Sequence, residues 1–464
     1  MRKEKDSLGE LEIPKDAYYG IQSFRAFKNF QISGTKIHPE LIKSYLLLKK
    51  AAAIANQKIN SLDEKIAHVI VQAVDDLLEI DFKKFPDKYF IIDAYQAGAG
   101  TSQNMNANEV IANRANEILG HKLGTYLSVN PNDHVNMSQS TNDSYPTVMR
   151  LSTLNLSHSL ITELKKLSDV FNQKTLEFDD VIKAGRTHLQ DAVPMRLGQE
   201  FSAYKITIDQ LGELILHAQS ALRILGIGGS AIGSGINVQK NYKNFMILEL
   251  RKFFQDEHLT LSQNMFATTQ SQLPLMIYSN ALRATALELT RILNDLRLLS
   301  SGPSTGFNEI NLPPTQPGSS IMPGKVNPSI LEMGNQVFFK VIGNDNAMAM
   351  AMQAGQLELN VMMPVMAQLA LESTQIMTEA LKTIRELCIS NITANVEQCL
   401  EYAGKTSQIA TAISPIVGYA RAAEITKKAL KEKRSVLDLI KEEKILTEDQ
   451  FKQLLDLRKM TEVN

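Results

Sequence analysis

The sequence predicts an all-α protein with an elongated central helix bundle flanked by two smaller, mostly helical domains. Only 15 prolines and 24 glycines interrupt the 464 residues, and the segments between them show helical rather than alternating apolar spacing. In 195–225, apolar residues recur every three or four positions without a proline, which predicts a helix of about 45 Å. Similar stripes occupy 147–178, 275–300 and 357–390. Several long helices in succession indicate a bundle.

The stripes also suggest how the chain is organised. They place a long-helix domain at 141–395, between an N-terminal mostly helical domain (1–140) and a small C-terminal helical domain (396–464). Pro364 interrupts the last stripe and predicts a kink there. Because the stripes carry apolar residues on more than one face, part of this surface is expected to contact other subunits, and a homo-oligomer is predicted.

Composition argues against several classes of protein. Forty-nine Lys and Arg against fifty Asp and Glu leave a net charge of -1, so no general basic field attracts nucleic acid or a membrane surface. No segment approaches the roughly 18 apolar residues of a membrane span, and no signal peptide follows the charged start, so a cytoplasmic protein is expected. The two cysteines, Cys388 and Cys399, show no metal-ligand spacing, and no metal site is predicted.

Four polar segments interrupt the helical pattern, and the first two are rich in hydroxyls and amides. Segment 98–108 places Thr101 behind two glycines at a helix start, where backbone N–H groups can hold an anion. Segment 136–146 presents three such residues in a row before a long helix: Ser140, Thr141 and Asn142. Each segment has a competing interpretation as an ordinary helix cap, which needs only one of these residues.

The third segment, 185–195, gathers polar side chains at a turn between two long helices. His188 lies there beside Thr187, among hydroxyl and amide groups. A lone histidine is more often structural, but the imidazole is the side chain best suited to proton transfer near neutral pH. His188 is therefore a candidate functional residue.

The fourth segment, 318–328, combines glycines and prolines with two serines and one cation. Ser319 and Ser320 offer nucleophile or base oxygens, and Lys325 and Asn327 can bind a carboxylate. The order of residues differs from that of a phosphate-binding loop, although a merely flexible loop is an alternative. Together the four segments suit a small polyanionic substrate and an acid–base reaction without a cofactor.

The fourth segment, GSSIMPGKVNP, resembles the signature of the aspartase/fumarase superfamily over its whole length. The resemblance continues through GAGTSQNMNANE, SQSTNDSYPT, GRTHLQDAVPMRLGQEF and VIGND, so it spans nearly the full chain. It implies an all-α homotetramer whose active sites are each built from three chains. The stretches DAYYG, DAVPM and AGQLELNVM favour the aspartase branch over the class II fumarases.

The resemblance implies the reversible deamination of L-aspartate to fumarate and ammonia through an enediolate (aci-carboxylate) intermediate. Ser319 would be the general base, with Ser320 supporting the loop. The expected donors to the β-carboxylate are Thr101, Ser140 and Thr141. The expected contacts to the rest of the substrate are Thr187, His188, Lys325 and Asn327 at the α-carboxylate and Asn142 near the amino group.

Further implications concern His188 and metal ions. His188 would contact substrate, with a role as proton relay left open, and Glu332 could pair with it. No cofactor would be required, while activation by a divalent metal stays open.

Two other functions stay open. A class II fumarase would use the same residues to eliminate water from L-malate. A non-catalytic helical structural protein derived from such a lyase is the alternative of another class. The retention of Ser319, Lys325, Asn327 and His188 argues against the structural protein.

Overall fold

Long helices dominate the structure, as the sequence predicts. The computed structural model describes residues 1–462, and of residues 454 and 455 the backbone alone. In chain order the α-helices are α1 (Ile21–Asn29), α2 (Pro39–Lys58), α3 (Glu64–Leu78), α4 (Thr101–Ile118), α5 (Thr141–Glu177), α6 (Leu197–Leu222), α7 (Tyr242–Phe254), α8 (Met265–Gln270), α9 (Leu273–Leu299), α10 (Ser329–Gln353), α11 (Met363–Leu387), α12 (Val396–Lys405), α13 (Ala410–Val417), α14 (Tyr419–Glu432), α15 (Val436–Glu442) and α16 (Glu448–Leu455).

Three of the predicted stripes correspond to α5, α6 and α9, whose ends lie within a few residues of the prediction except that α5 begins six residues earlier, at Thr141. The predicted kink at Pro364 is wrong. Helix α11 begins at Met363, so Pro364 lies in its first turn. The missing N–H of a proline costs no helical hydrogen bond at that position.

Short two-stranded sheets accompany the helices without changing the fold class. Strands β1 (Arg2–Asp6) and β2 (Gly9–Ile13) form an antiparallel hairpin. Strands β3 (Ile182–Thr187) and β4 (Gln190–Arg196) form a second one. The remaining pairs are two residues long: β5 (Ile224–Leu225) with β6 (Thr260–Leu261), and β7 (Ile310–Asn311) with β8 (Thr393–Ala394).

The chain divides into two compact units. The first consists of Met1–Ile161, Glu213–Ala286 and Phe339–Thr378. In it, α2 packs against α3, α4 and α7, and the buried face of α2 is rich in alanine and leucine.

The second unit consists of Thr162–Gly212, Leu287–Phe338 and Glu379–Asn464. In it, α12 packs against β3 and α14 packs against α13 and α15. Apolar residues of 409–440 form a small core there. The predicted division at 140 and 395 stays a prediction.

The hydropathy of the helices bears on membrane insertion. Within residues 1–462, no helix combines the length and the apolar character that a membrane crossing requires.

Candidate active site

The first polar segment forms the start of α4. Residues 98–100 make a tight turn, and Thr101 is the first residue of the helix. Gly100 has a φ of +82°, and a Cβ there would lie 1.9 Å from the Tyr145 ring, so the position requires glycine. The exposed Thr101 hydroxyl thus lies at the positive end of an 18-residue helix, where a bound anion is stabilised.

The second polar segment caps α5. Ser140 Oγ accepts a hydrogen bond from the Asn142 N–H at 3.1 Å, and the Ser140 N–H donates to Asp143 Oδ1 at 2.9 Å. This reciprocal pair resembles a capping box, which confirms the interpretation of Ser140 as a helix cap. Because a hydroxyl that accepts a hydrogen bond keeps its own hydrogen, Ser140 can also donate to a ligand.

A buried lysine joins the first two polar segments. Lys49 of α2 has no exposed surface. Its Nζ donates to the side-chain oxygens of Asn104 at 2.8 Å, Asn136 at 3.0 Å and Gln139 at 2.8 Å. Asn104 Nδ2 donates in turn to Thr141 Oγ1 at 3.1 Å. Burial lowers the pKa of Lys49 to about 7, since no solvent stabilises the ammonium.

A glycine-rich loop, 226–235, supports the second segment. Five of its ten residues are glycine, and two of its backbone N–H groups donate to Asp143 Oδ2 at 2.9 and 3.0 Å. Asn142 Nδ2 donates to Ala231 O at 2.8 Å. Burial raises the pKa of Asp143 to about 6, although the N–H donors and Lys49 oppose this shift. The loop therefore fixes both side chains at the start of α5.

Sequence reasoning missed Lys49 and this loop. Lys49 lies three residues before Ala52 and four after Tyr45, both fully buried, so a lysine on the apolar stripe of α2 was the available signal. The glycine content of 226–235 was the signal for the loop.

The third polar segment is a β-hairpin rather than a plain turn between helices. His188 and Leu189 join β3 to β4, with φ values of +57° and +60°. Positive φ at both residues matches the type I′ turn that suits two-residue hairpins, and residues other than glycine are strained there. Thr187 and His188 are exposed at this tip, so both can reach a ligand.

Charged side chains anchor the base of this hairpin. Glu309 is fully buried, and its carboxylate lies 2.8 Å from Arg186 Nη1 and 3.0 Å from Lys183 Nζ. Lys183 Nζ also donates to Glu200 at 2.6 Å. The Arg186 guanidinium lies over the Phe307 ring, 4.1 Å from its centre, a favourable cation–π geometry. These contacts fix β3 and thereby the direction in which the tip projects.

The fourth polar segment surrounds one serine with backbone donors. Ser319 Oγ accepts hydrogen bonds from the N–H groups of Met322 at 2.9 Å and Ile321 at 3.2 Å. Two N–H groups aimed at one oxygen would stabilise the negative charge of a serine alkoxide. Ser320 is exposed. The local geometry therefore distinguishes the two adjacent serines, while the role of Ser319 as a base stays a prediction.

Hydrogen bonds close the loop at its base. The Gly318 N–H donates to Lys325 O at 2.8 Å, and Asn327 Nδ2 donates to Gly318 O at 2.6 Å. A Cβ at Gly318 would lie 2.6 Å from Lys325 O, so this closure requires glycine. The Lys325 side chain is exposed, and Asn327 keeps a second amide hydrogen for a ligand.

Glu332 lies in the first turn of α10. Its carboxylate is 3.9 Å from Arg297, so within one chain it faces this arginine. The pairing of Glu332 with His188 stays a prediction.

The structure therefore assembles the candidate residues in part. In the first unit, the Lys49 network joins the segment of Thr101 to that of Ser140 and Thr141. In the second unit, no hydrogen bond or ion pair among the described residues joins the hairpin tip to the loop of Ser319.

The chain matches two family models that together cover most of its length. The model described as "Lyase" matches residues 9–343, and the model described as "Fumarase C C-terminus" matches residues 409–462. The chain thus belongs to the aspartase/fumarase superfamily of lyases.

Individual relatives and solved structures show which members of the superfamily this chain resembles. An aspartate ammonia-lyase of a Bacillus species is 47% identical over 99% of the chain and 97% of that protein. The aspartate ammonia-lyase of Escherichia coli is 42% identical over 99% of the chain and 96% of that protein. A fumarate lyase:delta crystallin of Brucella melitensis bound to cobalt is 44% identical, covers all of both chains and has a TM-score of 0.95. A class II fumarase of Schistosoma mansoni is 33% identical over 99% and 98% of the two chains, with a TM-score of 0.94.

Proposed function

We propose that this protein catalyses the reversible deamination of L-aspartate to fumarate and ammonia. The observation that carries the proposal is the similarity of 42–47% identity, over nearly the whole chain, to proteins named aspartate ammonia-lyase. The candidate residues support it because they supply a base and a set of neutral and cationic donors for a small dicarboxylate.

Proton removal is assigned to Ser319. As an alkoxide it takes a proton from Cβ and becomes a hydroxyl, and the electron pair of the C–H bond moves into the β-carboxylate as an enediolate. A serine is a poor base unless its anion is stabilised, and the N–H groups of Ile321 and Met322 supply that stabilisation. Collapse of the enediolate forms the Cα–Cβ double bond and expels ammonia with the electrons of the C–N bond.

The enediolate needs donors that are already in place when the charge develops. Thr101, Ser140 and Thr141 fill this role in the proposal. The hydroxyls of Ser140 and Thr141 each accept a hydrogen bond from within the protein, which leaves their hydrogens for the substrate.

The α-carboxylate and amino group are assigned to other segments. Lys325, Asn327, Thr187 and His188 hold the α-carboxylate, and Asn142 lies near the amino group. The exposed apolar side chains of the 318–328 loop, among them Ile321 with 83% of its surface exposed, suit a loop that closes over the substrate and excludes water.

We also propose the homotetramer with composite sites that the resemblance implies. Long helices carry large apolar side chains that are exposed in the single chain, and such surfaces usually mark an interface. On α6, α9 and α10 they include Ile206, Leu214, Leu216, Ile277, Leu287, Phe339 and Met350. A subunit interface would cover them and bring segments of different chains to one site.

Three expectations accompany the proposal. No cofactor is required for the chemistry described, and activation by a divalent metal stays open. Among the described residues, no three or more His, Cys, Asp or Glu side chains are arranged to hold a metal ion. The cytoplasmic location stays a prediction.

One comparison tests the proposed reaction. The purified protein is incubated with L-aspartate or with L-malate, and fumarate is followed by its ultraviolet absorbance. We expect fumarate from L-aspartate at a rate far above that from L-malate. The reverse preference would assign the chain to the fumarases, and a folded protein inactive on both substrates would favour the structural alternative.

A further inference from the structure

The Lys49 network contains a feature that the proposed reaction does not yet use. Lys49, Asn104 and Thr141 form a continuous chain of hydrogen bonds that leads from a buried lysine to a hydroxyl of the candidate site. The Thr141 side chain at its end is half-buried, whereas Lys49 and Asn104 are buried. The two buried residues therefore do not reach a ligand directly, and Thr141 is the candidate-site residue at the end of their hydrogen bonds.

The chemistry of Lys49 fixes the orientation of its partners. Lys49 Nζ donates to three side-chain oxygens, and the one that Asn104 supplies is Oδ1. The amide nitrogen must then point away from Lys49, where its two hydrogens reach Thr141 Oγ1 and Asn136 Oδ1, both at 3.1 Å. Asn136 Oδ1 is held as an acceptor by Lys49 as well, at 3.0 Å. No member of this set can rotate its amide by half a turn without placing a donor against a donor.

The orientation of Asn104 decides what the Thr141 hydroxyl does. Because Thr141 Oγ1 accepts from Asn104, its own hydrogen is left to donate in another direction. A hydroxyl that donated to residue 104 would instead present its oxygen to the ligand and repel a carboxylate.

We propose that Lys49 is a positioning residue that acts through Asn104 to hold the Thr141 hydroxyl as a donor to the substrate carboxylate on which negative charge develops. The inference rests on the proposed function, because it uses the assignment of Thr141 to the β-carboxylate. It assigns a part in the reaction to Lys49 and Asn104, two residues that contact no substrate atom.

The substitution Asn104→Asp tests the direction of the Thr141 hydrogen bond. Aspartate has nearly the same size and keeps an oxygen for Lys49, but its second oxygen cannot donate, so Thr141 must donate to it and turn its hydrogen away from the substrate. A purely structural role for Asn104 predicts a loss of stability, through the hydrogen bond to Asn136, with little change in the kcat of the folded variant. The proposal predicts a fall in kcat within the range of about 10²–10³ known for loss of one oxyanion donor. Because the substitution also removes the hydrogen bond to Asn136 Oδ1, thermal unfolding is measured beside kcat to show that the variant is folded at the assay temperature.

A double-mutant cycle separates this action of Lys49 and Asn104 through Thr141, here called the Lys49 relay, from other effects of the substitutions. Thr141→Val removes the final donor, so adding Asn104→Asp or Lys49→Met to it should reduce kcat by no more than about twofold, because coupled residues are not additive. Lys50→Met is the matched control. Lys50 is the neighbouring lysine, forms an ion pair with Asp75, and its loss should leave kcat unchanged.

Inhibitor binding supplies a readout that a structural role would not move. Succinate resembles the ground state, whereas the nitronate of 3-nitropropionate carries negative charge on two oxygens of one planar centre, as the enediolate does. Asn104→Asp and Lys49→Met should weaken the inhibition by nitronate at least about tenfold more than that by succinate, because a transition-state donor discriminates between them. Equal weakening of both inhibitors, or additive losses in the cycle, would overturn the relay.

The experiments distinguish a failure of the proposed function from a failure of the role proposed for Lys49. The cycle uses whichever of L-aspartate and L-malate the wild type converts, so a fumarase would refute the deamination and still test the relay. A folded wild type that converts neither substrate would refute the proposed function and, with it, the relay.

Discussion

Replacing Ser319 with alanine tests the identity of the base most directly. The substitution removes the oxygen to which the N–H groups of Ile321 and Met322 donate. Both hydrogen bonds are exposed, so water can replace the hydroxyl, and the free energy of unfolding should fall by less than about 1 kcal/mol. The fold and the oligomer should therefore survive the change.

The expected loss of activity is far larger than the loss of stability. Removal of a general base typically reduces turnover by about 10²–10⁴-fold. The KM for L-aspartate should change by less than about tenfold, because the donors assigned to both carboxylates stay in place. Initial rates of fumarate formation over a range of L-aspartate concentrations give both constants, and circular dichroism checks the fold.

The neighbouring serine supplies the control. Ser320 has the same chemistry, lies one residue away and is exposed, so Ser320→Ala should reduce turnover much less than Ser319→Ala. If Ser320→Ala proves the more severe, Ser320 is the base. If both variants retain most of their turnover, the base lies outside this loop and the reasoning from the backbone donors is refuted.

Four further outcomes are expected. His188→Gln should lower kcat/KM by about 10- to 100-fold, the value of one hydrogen bond to a charged group, and complete loss in steady-state assays would indicate proton transfer instead. Raising the pH through about 7 should increase the free energy of unfolding of the wild type relative to that of Lys49→Met. The reason is that folded Lys49 releases its proton near pH 7, whereas an unfolded lysine keeps its proton up to its ordinary pKa of 10.5. Urea unfolding of both proteins on both sides of pH 7 measures this, and an unchanged difference in the free energy of unfolding would contradict it. Gly100→Ala should lower the free energy of unfolding by about 1–3 kcal/mol because of the strained φ, and by about as much again because of the clash with the Tyr145 ring. A melting temperature equal to that of the wild type would refute both causes. Light scattering should give the mass of four chains, and a fully active monomer would contradict the composite site.

The sequence predicted the helical elements well because their signal is local. Apolar spacing alone placed α5, α6 and α9 to within a few residues at most ends. It failed at Pro364, since a proline is compatible with either a kink or a helix start, and only the neighbouring structure selects between them. It also missed the β3–β4 hairpin, whose positive-φ turn is occupied by His188 and Leu189 rather than by the Asn-Gly or Gly-Gly pairs that usually signal such turns.

For the candidate site as well, local sequence patterns account for one part and long-range contacts for the other. The sequence singled out four candidate segments, because the polar residues of 98–108, 136–146, 185–195 and 318–328 depart locally from the helical pattern. The orientation of these residues depends on contacts between segments that are distant in the chain. Lys49 is separated from Asn104 by 55 residues, and Asp143 from the loop N–H groups by 85 and 87. No local pattern encodes such contacts, because they arise when burial forces each polar group to find a partner within the folded chain.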